Sequence, residues 1–149
     1  MNVYVDTGGW VAYFDQSDRF HSLVTPYLQT TLRQAGVRLV TSDYVLDETV
    51  SYLRYHVSHA TALTAFQTLS ALGQTQRVIM LEINEELRRR AGQIFEQFRD
   101  QTFSFTDCTS FALCEAYHIQ HVVTVDKDFV IFGLLILPEA LAHSVLLPS

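Results

Sequence analysis

The chain has 149 residues, of which 48% are apolar and 17% are charged. This length is typical of one domain and the composition is unlike that of disordered chains, so we expect a single domain spanning residues 1–149. The formal net charge of −6 disfavours a protein that holds nucleic acid through a broad basic surface. That objection loses force if the acids gather in a site for divalent cations, because a bound metal reverses the local field.

Neither targeting nor membrane insertion is predicted. The segment Met1–Asp6 has no basic region and no small-residue cleavage site, so it is unlike a signal peptide. The longest apolar stretch, Phe129–Leu137, is about half of what a bilayer-spanning helix requires. Cys108 and Cys114 fall on different faces of a predicted helix, too far apart to bridge. We therefore expect a soluble cytoplasmic protein without a disulfide.

Short β-rich runs alternate with helical patterns along the whole chain. Strands are predicted at 3–5, 37–40, 78–81, 121–125 and 134–137. Helices are predicted at about 10–14, 23–35, 43–53, 60–72, 84–98 and 107–117. The alternation implies a central parallel sheet of four to five strands with helices on both faces, which is a three-layer α/β/α fold.

Capping residues and glycines predict where the helices begin and end. The predicted N-caps are Thr41 or Ser42, Asn84 and Thr106. The pair Gly8–Gly9 predicts a turn between the first strand and the first helix. Two later helices are predicted to end at glycines, which are Gly36 and Gly73.

Four acids occupy positions that point to a shared site. Asp6 and Asp126 follow the first and fourth predicted strands, and ligands of open parallel sheets bind beyond the carboxyl ends of the strands. Asp107 lies in the first turn of a helix, and Glu48 lies on the shoulder of an apolar arc. Each acid alone is also explained as a turn, helix-start or surface residue, so the prediction depends on their joint placement.

Converging carboxylates without basic partners repel one another, and this repulsion predicts a hard cation with oxygen ligands, Mg²⁺ or Mn²⁺. A bound metal of this kind lowers the pKa of a water molecule and stabilises a leaving oxygen. The pattern therefore predicts metal-assisted phosphodiester hydrolysis.

The segments that carry these acids resemble the PIN-domain ribonucleases and, within them, the VapC-like toxins of bacterial toxin–antitoxin pairs. In chain order, the matching segments are Val5–Thr7 with Trp10–Asp15, Thr41–Ser42 with Val45–Glu48, Ser104–Asp107, and Val123–Phe129. No single segment is specific, but their order and spacing cover nearly the whole chain.

The resemblance implies a sheet order of 3-2-1-4-5 and a Mg²⁺- or Mn²⁺-dependent endoribonuclease acting on single-stranded or structured RNA. It implies a catalytic and metal-binding cluster, with Thr124 as a hydroxyl near the metal. Gly8 stands where the family commonly has a serine, so no role is carried over for that hydroxyl. The resemblance further implies a small antitoxin that inserts a segment into the acidic site, and a homodimer. The implied cluster is Asp6, Glu48, Asp107 and Asp126, with Asp128 as a further metal ligand.

Other function classes remain open at this point. A non-catalytic PIN-like protein-binding module would keep the fold, but it has no reason to hold four repelling carboxylates together. A metal-dependent phosphatase with a nucleophilic aspartate needs a second acid two positions after Asp6, where Gly8 stands. A DNA nuclease would use a similar acidic cleft, and the choice of RNA over DNA depends on the resemblance alone.

Two polar motifs have more ordinary explanations than RNA or metal binding. The run Arg88–Arg90 could contact phosphates, but Glu85 and Glu86 lie four residues before its last two members, which favours ion pairs on a solvated helix face. His56 and His59 are three positions apart, but they lack a third suitable ligand nearby in sequence for a transition metal.

Four aromatic residues recur along the two predicted helices between 43 and 72. Their spacing fits a groove for a partner helix, although aromatic core packing is the commoner arrangement and is the one we predict. These residues are Tyr44, Tyr52, Tyr55 and Phe66. The apolar run through Phe132 and Leu137 is predicted to be a buried strand and its approach.

Overall fold

Five parallel strands form one sheet at the centre of the protein. A computed structural model describes residues 1–147. The strands lie in the order β3-β2-β1-β4-β5, and every neighbouring pair is parallel. The predicted parallel sheet and the strand order implied by the resemblance are both confirmed. The strands are β1 (Asn2–Val5), β2 (Arg38–Ser42), β3 (Val78–Leu81), β4 (His121–Val123) and β5 (Leu135–Ile136).

Helices follow the strands and cover both faces of the sheet, so the predicted three-layer architecture is confirmed. Their apolar sides bury one main hydrophobic core against the strands. The helices are α1 (Thr7–Phe14), α2 (His21–Arg33), α3 (Asp43–His56), α4 (His59–Gln74), α5 (Glu85–Gln97), α6 (Phe105–Ala116), α7 (Asp128–Phe132) and α8 (Glu139–Leu146).

Helix α1 begins earlier than its sequence predicts. It starts at Thr7 and includes Gly8 and Gly9, where a turn was expected. A Cβ added at Gly9 would lie 2.6 Å from the carbonyl oxygen of Val123, and one at Gly8 would lie 2.6 Å from Cγ2 of Val125. The glycines therefore serve close packing of the helix against β4 and the residues after it, and this packing outweighs their low helix propensity.

Several predicted helix ends are confirmed and others are wrong. Ser42 and Asn84 cap α3 and α5, because each side chain accepts a hydrogen bond from a backbone N–H in the first turn. The cap of α6 is Ser104 and not Thr106. Helix α4 starts after a Ser58 cap and continues through Gly73, which was expected to end it.

The C-terminal part differs most from prediction. Strand β4 ends at Val123 and not at Val125, so Asp126 lies in the following loop and does not come directly after the strand. The apolar run predicted as a strand and its approach instead forms α7, a left-handed Gly133 and the short β5. Helix α8 was not predicted.

The aromatic residues of α3 and α4 lie mainly on the surface. Tyr44 packs against the core, but Tyr52, Tyr55 and Phe66 are exposed, with Tyr55 at 82%. Core packing was therefore the wrong prediction for these three. We call Tyr52, Tyr55, Leu63 and Phe66 the α3–α4 aromatic face; part of it lines a groove of about 280 Å³.

Cys108 and Cys114 are buried and free, as expected. Within residues 1–147, no helix combines the length and the apolar character that a membrane crossing needs.

Candidate metal centre

Asp6 and Thr124 join the carboxyl ends of the two central strands. The backbone N–H of Asp6 donates to the carbonyl of Val123 (3.1 Å), which extends the pairing of β1 with β4. The Thr124 hydroxyl donates to Oδ2 of Asp6 (3.1 Å) and accepts from the backbone N–H of Asp126 (3.1 Å). One hydroxyl therefore orients the Asp6 carboxylate and fixes the loop that carries Asp126.

The first turn of α6 presents Asp107 to the same edge of the sheet. Its backbone N–H donates to Oγ of Ser104 (3.0 Å), and its Oδ2 accepts from the backbone N–H of Ser104 (3.0 Å). This reciprocal arrangement is a capping box, and it holds a negative charge where the helix dipole is positive. The box leaves the second carboxylate oxygen of Asp107 available to a ligand.

Asp126 and Asp128 complete a three-carboxylate group with Asp107. One carboxylate oxygen from each of the three residues lies within 4.8 Å of the others. The backbone N–H of Asp128 donates to Oδ1 of Asp126 (2.9 Å), so the turn that begins α7 sets the spacing of these two acids. Among the described residues, no other trio of candidate metal ligands comes this close, and the histidine pair of α3 and α4 gains no third ligand.

Asp6 and Glu48 belong to the same electrostatic site. Burial raises the pKa of Asp6 to about 8, and the negative charges of Asp107 and then Glu48 add to that rise. Burial also raises the pKa of Asp107 to about 6, with contributions from Asp126 and Glu48. Asp6, Asp107, Asp126 and Asp128 therefore lie at the carboxyl edge of the sheet, and Glu48 is near enough to raise the pKa of Asp6 and of Asp107.

The donor set fits a hard divalent cation. Asp6 is only 4% exposed, and its Oδ1 has no hydrogen-bond partner among residues 1–147. Neither ion pair found in this part of the chain involves the five acids. A buried carboxylate oxygen without a partner is costly, whereas Mg²⁺ and Mn²⁺ prefer oxygen ligands of this kind.

The model of the PIN domain family matches residues 3–133, which include the whole acidic cluster. The chain belongs to the PIN domain family. Over 127 residues, this PIN domain is 26% identical to "23S rRNA-specific endonuclease VapC20" of Mycobacterium tuberculosis, strains CDC 1551 and H37Rv. The match covers 85% of this chain and 91% of the relative.

Solved structures give the same picture. The crystal structure of M. tuberculosis VapC20, described as a Sarcin-Ricin loop cleaving toxin, superposes with a TM-score of 0.79 at 25% identity, covering 89% of this chain and 96% of that one. VapBC2 from Rickettsia felis, bound to a promoter DNA fragment, gives 0.65 at 14% identity, covering 91% and 97%, and shows the fold alone.

Sequence reasoning missed one residue that shapes the site. From sequence alone, Ser104 is included only in a segment that resembles the PIN family and is not predicted as a helix cap. The spacing Ser104-x-x-Asp107 is nevertheless the signature of a capping box, with an aspartate in place of the usual Glu or Gln. Thr106 is also of a residue type that is favoured as a helix cap, and only the backbone geometry shows that Ser104 is the cap.

Each arginine of the run on α5 has a hydrogen-bond partner within the protein. Arg89 pairs with Glu85 (3.3 Å) as predicted, whereas Arg90 pairs with Glu115 of α6 (2.7 Å) and not with Glu86. Arg88 donates to the carbonyl of Ile83 (2.9 Å). These contacts favour a structural explanation of the run over phosphate binding.

Proposed function

We propose that this PIN domain is a Mg²⁺- or Mn²⁺-dependent endoribonuclease that hydrolyses RNA phosphodiester bonds. The observation that carries the proposal is the convergence of Asp107, Asp126 and Asp128 within 4.8 Å, beside a buried Asp6 oxygen that lacks a partner. RNA is favoured over DNA because VapC20 of M. tuberculosis, the relative found both by sequence and by structure, is named an rRNA-specific endonuclease.

The five acids and Thr124 together form the proposed site. Asp6, Asp107, Asp126 and Asp128 would hold the metal, and Glu48 would approach it from α3. When bound, Mg²⁺ or Mn²⁺ supplies Lewis-acid chemistry that acidifies a water molecule and neutralises phosphate charge. Thr124 keeps the Asp6 carboxylate in position, in the manner of the outer-sphere groups that orient metal ligands.

Cleavage of RNA by the purified protein tests this proposal. A mixed RNA pool is incubated with Mg²⁺ or Mn²⁺, and with EDTA as the metal-free control. The double variant Asp6→Asn, Asp107→Asn should lose at least about 100-fold in rate, since even outer-sphere changes at metal sites cost about 10–100-fold. Asp47→Asn, an exposed acid next to Glu48, is the matched control and should cleave normally.

Two results would contradict the proposal. Cleavage of single-stranded or duplex DNA in preference to RNA would make the protein a DNA nuclease. The absence of cleavage by folded, metal-loaded protein freed of any partner would favour a non-catalytic protein-binding module.

We further propose that the protein is the cytoplasmic toxin of a toxin–antitoxin pair, with a small antitoxin as its partner. The α3–α4 aromatic face supports a protein partner, because three of its large apolar side chains, Tyr55, Leu63 and Phe66, are exposed and line one groove. Co-expression with the neighbouring small reading frame should yield a complex that blocks cleavage. The double variant Tyr55→Ser, Phe66→Ser should weaken that complex while free toxin stays active.

Homodimerisation is the last part of the proposal, and it depends on the resemblance to VapC-like toxins. Light scattering on the purified toxin without its partner should give twice the mass of the 17.0 kDa chain. A monomer would contradict the proposed homodimer and would leave the nuclease proposal unaffected.

A further inference from the structure

A buried tyrosine links three of the elements that form the acidic site. Tyr4 of β1 is fully buried, and its hydroxyl oxygen lies 2.8 Å from Oγ of Ser110 on α6. The same hydroxyl donates to Oγ of Ser42, the cap of α3, at 3.3 Å. Each of these three elements also carries, or leads directly into, one acid of the candidate metal centre. One phenol therefore ties together the elements on which the site is built.

The tyrosine and its serine partner lie next to two of the carboxylates. Side chains alternate along extended backbone, so Tyr4 and Asp6 point to the same face of the sheet. On α6, Asp107 and Ser110 are three positions apart and share one side of the helix. The two hydroxyls and the two carboxylates therefore form neighbouring pairs across the same interface between β1 and α6.

The hydrogen bond between Tyr4 and Ser110 resists a shift of α6 along β1. Both residues are 0% exposed, so neither hydroxyl can exchange its partner for bulk water. A buried hydroxyl that loses its partner costs more free energy than an intact hydrogen bond contributes. A shift of the helix would break this bond and would also change the distance between Asp6 and Asp107.

The spacing of the two carboxylates matters because Mg²⁺ requires near-octahedral geometry, with oxygen ligands at about 2.0–2.1 Å. We propose that the hydrogen bond between Tyr4 and Ser110 sets the spacing at which the two neighbouring carboxylates bind the cation together. The inference rests on the metal-dependent function proposed above and deepens it. Tyr4 is a positioning residue, because it acts through the packing of α6 on β1 and not by contact with the metal.

Titration of Mn²⁺ into the purified protein, followed by the electron paramagnetic resonance signal of free Mn²⁺, tests the inference without RNA. Tyr4→Phe removes only the hydroxyl and should raise the Kd for Mn²⁺ by about 10-fold, the lower end of the effect of losing a group that orients metal ligands. Ser110→Ala removes the other half of the bond and should raise the Kd by a similar factor. The double variant should bind Mn²⁺ no more weakly than either single variant, because both changes break the same bond.

Thr31→Val is the matched control for lost stability. Thr31 is also buried, and its hydroxyl donates to the carbonyl of Tyr27 (2.7 Å) within α2, which carries none of the acids. Thr31→Val and Tyr4→Phe should both lower Tm, but only Tyr4→Phe should weaken Mn²⁺ binding. The double variant Tyr4→Phe, Ser110→Ala should regain part of the lost Tm, because neither hydroxyl of the pair is left without its partner, and should keep the weak binding.

Three results would overturn the inference. The first is a wild-type Kd for Mn²⁺ in Tyr4→Phe and Ser110→Ala, and the second is an equal loss of affinity in Thr31→Val. The third is recovery of Mn²⁺ affinity together with Tm in the double variant, because stability alone would then control binding. Wild-type protein that binds no Mn²⁺ would overturn the metal centre and this inference with it. Wild-type protein that binds Mn²⁺ but cleaves no RNA would overturn the ribonuclease function alone.

Discussion

Asp6 has the strongest conflict between burial and charge in the candidate site. It is 4% exposed, it faces the charges of Asp107 and Glu48, and one of its oxygens has no partner in the described part of the chain. In such surroundings the carboxyl group holds a proton unless a bound cation compensates its negative charge. The state of this one residue therefore links pH, metal binding and stability.

Metal-free protein should lose stability as pH rises from about 4 to about 8. The pKa of Asp6 is about 8 in the folded chain against an ordinary value of 3.8, so the folded state holds the proton over this range and the unfolded state does not. Its stabilising contribution is complete below the ordinary value and is lost as pH passes the folded value. Thermal unfolding in EDTA should therefore give a falling Tm.

The control for this prediction comes from the neighbouring acids. Asp6→Asn should reduce the fall of Tm, above all between about pH 6 and 8, where Asp107 no longer contributes to it, whereas Asp47→Asn, on the exposed side of α3, should keep the full dependence. Added Mg²⁺ or Mn²⁺ should raise the Tm of the wild type most at the alkaline end, because the cation competes with the proton. An equal slope in Asp6→Asn and wild type would show that Asp6 does not carry the effect.

Thr124 should matter more for activity than for folding. Thr124→Val keeps the shape of the side chain but removes both its donation to Asp6 and its acceptance from the Asp126 backbone. We expect metal affinity or cleavage to fall by about 10–100-fold, the usual effect of losing a group that orients a ligand. Thr124→Ser restores the hydroxyl and should recover most of the activity. Full activity of the Thr124→Val variant would show that the Thr124 hydroxyl has no role in the site.

At the scale of elements, the capping of α6 joins folding to the site. Ser104 stabilises the first turn of the helix and simultaneously fixes Asp107, while Ser58 caps α4 by an equivalent bond to the backbone of Thr61. Ser42, Ser58 and Ser104 all cap helices, and of the last two, which have similar local chemistry, only Ser104 also binds Asp107.

These two caps give a matched pair of variants. Ser104→Ala and Ser58→Ala should each lower the free energy of unfolding by about 1 kcal/mol, because each leaves a backbone donor without its partner. Only Ser104→Ala should also lower the cleavage rate, since it removes the Oγ that holds the backbone N–H of Asp107 and leaves only the backbone bond to its carboxylate. Denaturant titration and RNA cleavage measure the two effects. Equal rates in both variants would show that the capping box is purely structural.

The elements also show what could be predicted from sequence and what could not. The buried strands were found because their apolar runs are continuous, and Ser42 and Asn84 because a polar cap precedes a helical pattern. The predicted α1 is too short because Gly8 and Gly9 are typical of a turn. These glycines instead allow the helix to pack closely against Val123 and Val125, which are distant in sequence. The short α7 has too few residues for a helical period to separate it from a strand.

For the whole molecule, the sheet order decides which acids meet. Asp6 and Asp126 are far apart in sequence, but β1 and β4 are neighbours, so their carboxyl ends open into one cleft. The separate acids and the rule for parallel sheets suggested this cleft, while the order of the strands and the role of Asp128 came from the resemblance. Neither could supply the exposure of Phe95 and Phe105, because residue type alone predicts burial for phenylalanine.

Binding of RNA by the whole protein should depend only weakly on salt. The net charge is −6, the arginines of α5 are engaged within the protein, and Lys127, the sole lysine of the chain, is an exposed cation within the acidic loop. For single strands, each neutralised phosphate adds about −0.7 to the slope of log K against log salt, so two or three contacts predict a slope no steeper than about −2. Titrations at fixed Mg²⁺ and increasing KCl measure it. Lys127→Gln should make the slope shallower. A much steeper wild-type slope that Arg89→Gln reduces would place the RNA along α5 and contradict binding centred on the metal site.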